Sequence, residues 1–292
     1  MNRRDFLARA GAALGAAQLA CAPAVRTVGD VAAGVAGGRR RLTTVGIQLY
    51  SLRDDARADL ERTLANIAGI GYKTIEMLGS MNNFGMPAPR LRQVLDANGL
   101  RAVSTHVGGN ALNDLDRTLD EAAILGHEYV IVASLPIQGQ RTLDDYRRWA
   151  DRFNEAGRIA RGRNIWIGFH NHATDHAPIA GEVPYDVLMD RTDPAVTRMQ
   201  LDTGNTAMAS RDPFEYMRKY GPRYWSFHVK DVSALGARSD TELGKGVIDF
   251  RRLFAMIEDI DHKHLFVEQE TYPGVPIDSL RRDYQYISTL EF

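Results

Sequence analysis

The sequence predicts an α/β protein, a single (β/α)8 TIM barrel preceded by a cleavable signal segment. Short apolar runs typical of buried strands alternate about eight times with longer amphipathic stretches typical of helices. Such alternation means parallel strands joined by crossover helices, and eight units over about 250 residues match a TIM barrel. A doubly wound open sheet is the alternative, but it usually has fewer units, and no G-x-G-x-x-G motif follows the first run.

The first residues, 1–25, have the layout of a Tat-type signal segment. Arg3 and Arg4 precede an apolar run rich in Ala and Gly, and small residues surround Cys21. A basic start, a short apolar middle and small residues at the cut are typical of an export signal. The paired arginines indicate the Tat export machinery and therefore a periplasmic protein. Cys21 lies where a lipid anchor could attach, although Gln18 stands where a lipobox usually has Leu.

Residues 26–42 contain several Gly and Arg and are predicted to form a flexible linker. The barrel is then expected to span residues 43–292, with no second domain. The strand-like runs lie at residues 44–49, 72–77, 101–106, 129–133, 165–170, 197–202, 224–229 and 265–268. Apolar residues at helical spacing predict helices at 59–68, 112–125, 142–161, 213–219 and 250–257, the third of them with Thr142 as its N-cap.

The composition is that of an ordinary globular protein. The chain has 292 residues, of which 44% are hydrophobic and 25% charged, and a single Cys. These values exclude a disordered chain, a collagen and a disulfide scaffold. With a formal net charge of -1, the chain lacks the excess of positive charge typical of nucleic-acid-binding proteins, so no nucleic acid is expected as a partner.

Polar residues gather where the predicted strands end, which is where TIM barrels carry their chemistry. The residues concerned are Glu76, His106, His170, His172, Asp202, His228, Lys230 and Glu268. Alternation along a strand places His170 and His172 on one side, and His228 and Lys230 likewise. His127, His262 and His264 precede strands and therefore belong to the opposite face of the barrel.

Asp202, His228 and Glu268 would converge at one rim of the barrel. Three buried polar groups at one place are costly unless they are paired or bound to a metal. A mixed set of His and carboxylates suits Mn, Co, Zn or Fe(II), whereas an all-oxygen set suits Mg or Ca. The pattern therefore predicts one divalent metal.

Five segments in order resemble the sugar phosphate isomerase/epimerase family, whose members are xylose isomerase-like TIM barrels. They are residues 46–53 (GIQLYSLR), 169–172 (FHNH), 228–231 (HVKD), 242–246 (ELGKG) and 267–270 (VEQE). The resemblance covers the chain from about residue 43 to its end. It rests on the order and spacing of the segments together rather than on any one of them.

The resemblance implies a divalent metal, Mn first and Co, Zn, Fe or Mg as alternatives, held at the ends of the fifth to eighth strands. The usual ligand set is Glu, Asp, His and Glu, and Asp202, His228 and Glu268 match the last three. His170 stands where the first Glu is expected. We expect His170 to be the fourth ligand, with His172 and then Asp175 as alternatives.

The resemblance also implies an isomerase or epimerase that moves a proton next to the carbonyl of a sugar or keto-sugar. Glu268 and His170 would exchange the proton, and Lys230 would contact substrate oxygens or stabilise an enolate. Only one carboxylate of the family's usual pair is present. Elimination from a 3-keto-glycoside or an inosose-like substrate, by a lyase or dehydratase, is therefore the close alternative.

The expected partner is a small carbohydrate, unphosphorylated because the protein is expected to be exported. The residues expected to bind it are Glu76, His106, His172, Tyr50 and Arg53. A non-catalytic sugar-binding barrel is the alternative of another class. A DNA-repair endonuclease of the same superfamily is disfavoured by the near-neutral charge and the signal segment. Barrels of this family are often dimers or tetramers, so the resemblance allows a homo-oligomer.

Overall fold

Eight parallel strands form a barrel in the computed structural model, which describes residues 39–292. The barrel strands are β1 (Gly46–Gln48), β2 (Thr74–Met77), β3 (Arg101–Gly108), β4 (Tyr129–Ser134), β5 (Trp166–Phe169), β6 (Met199–Asp202), β7 (Tyr224–Val229) and β10 (His264–Val267); β8 (Asp231–Val232) and β9 (Asp240–Thr241) form a separate antiparallel hairpin. The strand order is β5-β4-β3-β2-β1-β10-β7-β6. Parallel bridges from Ile167 to Thr197 and from His170 to Gln200 close the barrel between β5 and β6. The predicted TIM barrel is confirmed.

Helices follow the strands and cover the outside of the barrel. They are α1 (Arg53–Ala58), α2 (Leu60–Ile70), α3 (Ala88–Ala97), α4 (Leu115–Leu125), α5 (Leu143–Arg161), α6 (Pro184–Arg191), α7 (Thr203–Met208), α8 (Pro213–Tyr220), α9 (Phe250–Ala255) and α10 (Pro276–Thr289). The predicted N-cap of α5 is confirmed, because Thr142 Oγ1 accepts a hydrogen bond from Asp145 N at 3.2 Å. Helices α1, α3, α6, α7 and α10 were not predicted. Of these, α3, α6 and α10 each have a proline in the first turn, where the missing N–H needs no partner.

Alternating strand residues separate an apolar outer layer from a polar interior. Outward-facing side chains such as Ile167, Leu201 and Phe227 belong to the core between strands and helices. The interior of the barrel instead holds polar side chains that are almost completely buried, among them Gln48, Glu76, Ser104, Gln200 and His228. Because all strands are parallel, their carboxyl ends meet at one end of the barrel, called the mouth below.

The opposite end is closed by cations stacked on aromatic rings. The guanidinium of Arg198 lies 3.7 Å from the ring centre of Trp166 and 3.3 Å from that of Trp225. The ammonium of Lys263 also lies against the Trp225 ring, 3.5 Å from its centre. These contacts account for Trp166 and Trp225 as packing residues.

The predicted signal segment, Cys21 and residues 26–38 of the predicted linker lie outside the described residues. Residues 39–42 pack on the barrel instead of forming linker. Arg40 and Phe292 exchange both backbone hydrogen bonds, at 2.9 and 3.0 Å. The part of the chain that packs on the barrel therefore includes residues before residue 43. Among the described residues, no helix combines the length and apolarity needed to cross a bilayer.

Candidate metal centre

Asp202, His228 and Glu268 lie together at the mouth of the barrel. One carboxylate oxygen from each acid and one ring nitrogen lie within 4.8 Å of one another. His228 Nδ1 is 2.8 Å from Glu268 Oε2 and 3.7 Å from Asp202 Oδ2. All three side chains are buried. The structure thus brings together three of the four predicted metal ligands.

The strand register explains this convergence. Asp202 at the end of β6 pairs with His228 on β7, and His228 in turn pairs with Phe266 on β10. Glu268 follows two residues after Phe266 and therefore faces the same side.

Two carboxylates hold the His228 ring. Its Nε2 is 2.6 Å from Glu76 Oε1, while its Nδ1 faces Glu268. Burial alone would lower the pKa of His228, but the charges of Glu268 and Glu76 raise this pKa well above its ordinary value. Glu76 holds Nε2, so Nδ1 is the nitrogen that faces Asp202 and Glu268 and that would bind a metal after giving up its proton.

Glu76 lies beneath the site, in the interior of the barrel. Its carboxylate is fully buried and accepts hydrogen bonds from Gln48 Nε2 at 2.7 Å and Ser104 Oγ at 2.5 Å. Gln200 Nε2 donates a further bond at 2.9 Å. Burial raises the pKa of Glu76, but the nearby His106 and His228 lower it well below its ordinary value. Glu76 thus positions His228, and its expected contact with substrate stays a prediction.

His170 stands beside this group as a neutral histidine. Its Nδ1 lies 3.0 Å from Gln200 Oε1, and its ring centre is 4.5 Å from that of His228. An amide oxygen only accepts hydrogen bonds, so Nδ1 carries the proton and Nε2 keeps a lone pair. Nε2 lies 3.9 Å from Asp202 Oδ2. Burial first, and then the neighbouring His228, lower the pKa of His170 well below its ordinary value.

His106 completes a group of three histidines in contact. His106, His170 and His228 each offer a nitrogen within 4.8 Å of the others. His106 Nε2 is 2.8 Å from Gln200 Oε1 and 2.9 Å from Glu76 Oε1. Its buried ring thus has protein partners, and its expected contact with substrate stays a prediction.

Lys230 neutralises the carboxylates at the mouth. Its Nζ lies 2.7 Å from Glu268 Oε2, 3.3 Å from Asp202 Oδ2 and 2.8 Å from Glu270 Oε1. Burial lowers the pKa of Lys230, but Asp202 and Glu268 raise it well above its ordinary value, so the amine is charged. The same interaction lowers the pKa of Asp202 and Glu268 despite their burial. Gly204 leaves the room that the lysine stem needs.

Of the two alternative fourth ligands, Asp175 faces away from the group. Its Oδ1 accepts hydrogen bonds from Tyr146 Oη at 2.7 Å and from Arg141 Nη1 at 2.9 Å. Its Oδ2 accepts one from the backbone N–H of His172 at 2.8 Å. Asp175 does not belong to the clusters of possible metal ligands among the described residues, and its role as an alternative fourth ligand stays a prediction. The His172 side chain is exposed at the mouth, with its ring 4.8 Å from that of His170.

Tyr50 and Arg53 follow β1 and contact each other. The Arg53 guanidinium lies 4.4 Å from the ring centre of Tyr50, and its Nη1 donates a hydrogen bond to Tyr50 O at 3.1 Å. The contacts of the described residues do not join this pair to the metal-binding group. Their expected role in substrate binding stays a prediction.

Two amide residues that sequence reasoning missed organise the site. Gln200 connects His106 and His170 with Glu76, while Asn205 Nδ2 donates a hydrogen bond to Asp202 Oδ2 at 2.8 Å. Gln200 precedes Asp202 by two residues on one strand, so alternation already indicated a shared side. Asn205 has a weaker signal, as the third residue after a helix N-cap.

The residues present fit a divalent metal. Two ionised carboxylates and an imidazole nitrogen form a buried donor set of the kind that Zn and Mn sites use. Glu76 fixes the far side of the His228 ring, as carboxylates commonly do behind metal-binding histidines.

The comparison with known proteins agrees with this architecture. An inosose dehydratase of Bacillus cereus is 24% identical over 184 residues, which are 56% of this chain and 61% of that protein. The chain thus spans about three fifths of the length of that relative. A sugar phosphate isomerase/epimerase structure from Parabacteroides distasonis has a TM-score of 0.72 and 24% identity, and covers 83% of this chain and 96% of its own.

The structure of the IOLI protein with a zinc atom gives a TM-score of 0.66 at 11% identity, over 83% of this chain and 95% of that one. At these identities the two structures establish the fold alone. The model of the xylose isomerase-like TIM barrel family matches residues 64–290. With the barrel and the site at its mouth described, this match shows that the chain belongs to the xylose isomerase-like TIM barrel family.

Proposed function

We propose that the protein is a metal-dependent lyase or dehydratase acting on a keto-sugar. It removes the proton on the carbon next to the carbonyl, and a substituent on the following carbon leaves. The observation that carries this proposal is the neutral His170 beside the group of Asp202, His228 and Glu268. The relatedness to inosose dehydratases supports the same reaction class.

Asp202, His228 and Glu268 would hold the metal through one oxygen each and Nδ1. When bound, a divalent metal supplies a Lewis acid that polarises a carbonyl oxygen. We propose Mn or Zn: the sequence resemblance favours Mn, and the IOLI structure contains zinc.

His170 is the proposed base. It is neutral, and the bond to Gln200 Oε1 leaves the lone pair on Nε2. As Nε2 takes the proton, the electron pair of the C–H bond forms the new C=C bond, and the C–O bond of the substituent breaks. The charged Lys230 would stabilise the negative charge that develops on the substrate oxygens, and the leaving oxygen would take its proton from water.

Isomerisation or epimerisation, which the sequence resemblance favours, is the second candidate. It needs a second group that returns the proton to the neighbouring carbon or to the opposite face, and Glu268 is the available carboxylate. Glu268 Oε2 receives hydrogen bonds from His228 and Lys230, which lower the pKa of Glu268 well below its ordinary value. Two protein donors thus occupy Glu268 Oε2, whereas the bond from His170 Nδ1 to Gln200 Oε1 leaves His170 Nε2 to take a proton, which is why we prefer elimination.

The substrate is proposed to be unphosphorylated. This rests on the proposed signal segment at residues 1–25, which would direct the protein through the Tat machinery to the periplasm. A lipid anchor at Cys21 is a further option within the same proposal. Phosphorylated sugars are mostly cytoplasmic. A strict preference for sugar phosphates would contradict this part of the proposal.

The test combines metal analysis with proton exchange. The protein is incubated in D2O with methyl 3-keto-glucoside and with an inosose, after its metal content has been measured. We expect near-stoichiometric metal, enone absorbance, and release of methanol or water. His228→Ala should lose both the metal and the activity. His170→Asn should keep the metal and lose about 100-fold or more in rate.

His262→Asn is the control, because this exposed histidine lies at the other end of the barrel. It should match the wild type. Deuterium exchange without elimination would favour the epimerase. Sugar binding without exchange would favour a non-catalytic barrel, and a protein that takes up no metal even after reconstitution would refute the mechanism.

A further inference from the structure

A cavity of about 380 Å³ lies beside the candidate metal centre, at the ends of β4 and β5. Its wall is mostly apolar and includes Ala133, Leu135 and Ala173. His172 and Asn205 also line it. These two residues join the cavity to the site, because Asn205 donates a hydrogen bond to Asp202 and the His172 ring contacts that of His170.

The charged residues in the wall neutralise each other. Arg141 Nη1 donates to Asp175 Oδ1 at 2.9 Å and to Tyr146 Oη at 2.9 Å. The buried carboxylate of Asp175 thus compensates the guanidinium. A cavity with paired charges and apolar walls offers little to a phosphate and much to a neutral apolar group.

We propose that this cavity is a leaving-group subsite that holds an apolar, ring-sized aglycone of a keto-glycoside. The inference rests on the proposed function, since it assigns the substituent that the elimination releases. The sugar ring would lie at the metal centre and the aglycone beyond His172. The electron pair of the broken C–H bond forms the C=C bond, and the bond from the sugar carbon to the glycosidic oxygen breaks. This oxygen leaves with the aglycone and takes up a proton. The step needs no oxidant.

The test compares two substrates that differ in the aglycone alone. Methyl and 2-naphthyl 3-keto-glucosides, in both anomers, are assayed for kcat/KM with the metal-loaded protein. The wild type should prefer the naphthyl substrate at least tenfold. Ala173→Leu fills the cavity, so it should remove this preference and leave kcat/KM for the methyl substrate within about twofold.

Ala177→Leu is the matched control. Ala177 lies four residues further along the same loop and is exposed, and it does not line the cavity. This variant should keep the preference of the wild type. Equal kcat/KM for the two substrates in the wild type, or an equal loss for both in Ala173→Leu, would overturn the subsite.

Binding of 2-naphthol separates failure of the subsite from failure of the proposed function. The wild type and Ala177→Leu should bind 2-naphthol in calorimetry at least tenfold more tightly than Ala173→Leu does. If neither glucoside reacts but this binding pattern holds, the elimination is refuted and the subsite stands. If the three proteins bind 2-naphthol equally, the subsite is refuted whether or not the glucosides react.

Discussion

Two buried carboxylates show how neighbours decide the ionisation of the same chemical group. Glu76 accepts hydrogen bonds from several donors and faces two histidines, so its pKa falls. Asp283 on α10 accepts one hydrogen bond, from Leu243 N at 2.8 Å, and its Oδ2 has no hydrogen-bond partner among the described residues. Burial raises the pKa of Asp283 to about 7, with a further increase from Glu242. Hydrogen-bond donors and nearby histidines, rather than the depth of burial, therefore explain why the pKa of Glu76 falls and that of Asp283 rises.

Asp283→Asn should make the folding stability less dependent on pH between pH 5 and pH 8. Between about pH 4 and pH 7 the unfolded chain loses the Asp283 proton while the folded protein keeps it, so folding stability falls as the pH rises. Each pKa unit corresponds to about 1.4 kcal/mol, and we expect the wild type to lose about 2.7 kcal/mol more than the variant between pH 5 and pH 8, most of it below pH 7. Urea unfolding at these two pH values measures the difference.

Asp278→Asn is the control for this prediction, because Asp278 is exposed on the same helix. It should follow the pH profile of the wild type. Parallel profiles for the wild type and Asp283→Asn would show that Asp283 ionises in its ordinary range.

At the scale of elements, the seam between β5 and β6 positions the site. His170 follows β5 and Asp202 ends β6, so the spacing of these strands sets the distance between the proposed base and a ligand. The strands approach closely at Gly168. A Cβ at this glycine would overlap Arg198 O and lie 2.7 Å from Ile131 Cδ1. The close approach therefore requires glycine.

Gly168→Ala should push the two strands apart. We expect a loss of about 1–3 kcal/mol in the free energy of unfolding, the usual effect of overpacking, together with weaker metal binding. Gly69→Ala is the control, because a Cβ there meets nothing within 4 Å and alanine favours helix α2. Denaturant unfolding and metal titration of both variants test this, and an unchanged Gly168→Ala protein would show that the seam can widen freely.

At the scale of the whole molecule, folding assembles the metal centre from distant parts of the chain. Glu76, His170, Asp202, His228 and Glu268 come from or directly follow five different strands. The unfolded chain has no such arrangement. A metal bound here would therefore favour the folded state.

The proposed metal should raise the melting temperature of the wild type. At a free metal concentration of 100 Kd, the expected stabilisation is about 2.7 kcal/mol, which corresponds to several degrees. Asp202→Asn should lose this shift while it keeps the N-cap of α7, since asparagine caps helices as well as aspartate. Asp212→Asn makes the same change at the N-cap of α8 and should respond like the wild type. Equal shifts in all three proteins, by differential scanning calorimetry with Mn²⁺ or Zn²⁺, would place the metal elsewhere.

Local patterns in the sequence determined the barrel and the residues at its mouth. Buried strands leave short apolar runs, amphipathic helices leave a 3.6-residue period, and alternation assigns each strand residue to a side. These signals located all eight barrel strands and the ends that carry Asp202, His228 and Glu268. They did not reveal α1, α3, α6, α7 and α10.

Only the tertiary structure decided which polar groups meet and which of them remain open to a ligand. Glu76 lies 152 positions from the His228 that it holds, and Asp175 lies 29 positions from Tyr146. Nothing in the local sequence distinguishes Glu76 and Asp175 from Asp202 and Glu268, which lie in the candidate metal-binding group. The cavity beside His172 likewise arises where the segments that follow β4 and β5 lie together. The physical reason is that hydrogen bonding and pKa depend on neighbours in space, whereas periodicity reports neighbours along the chain.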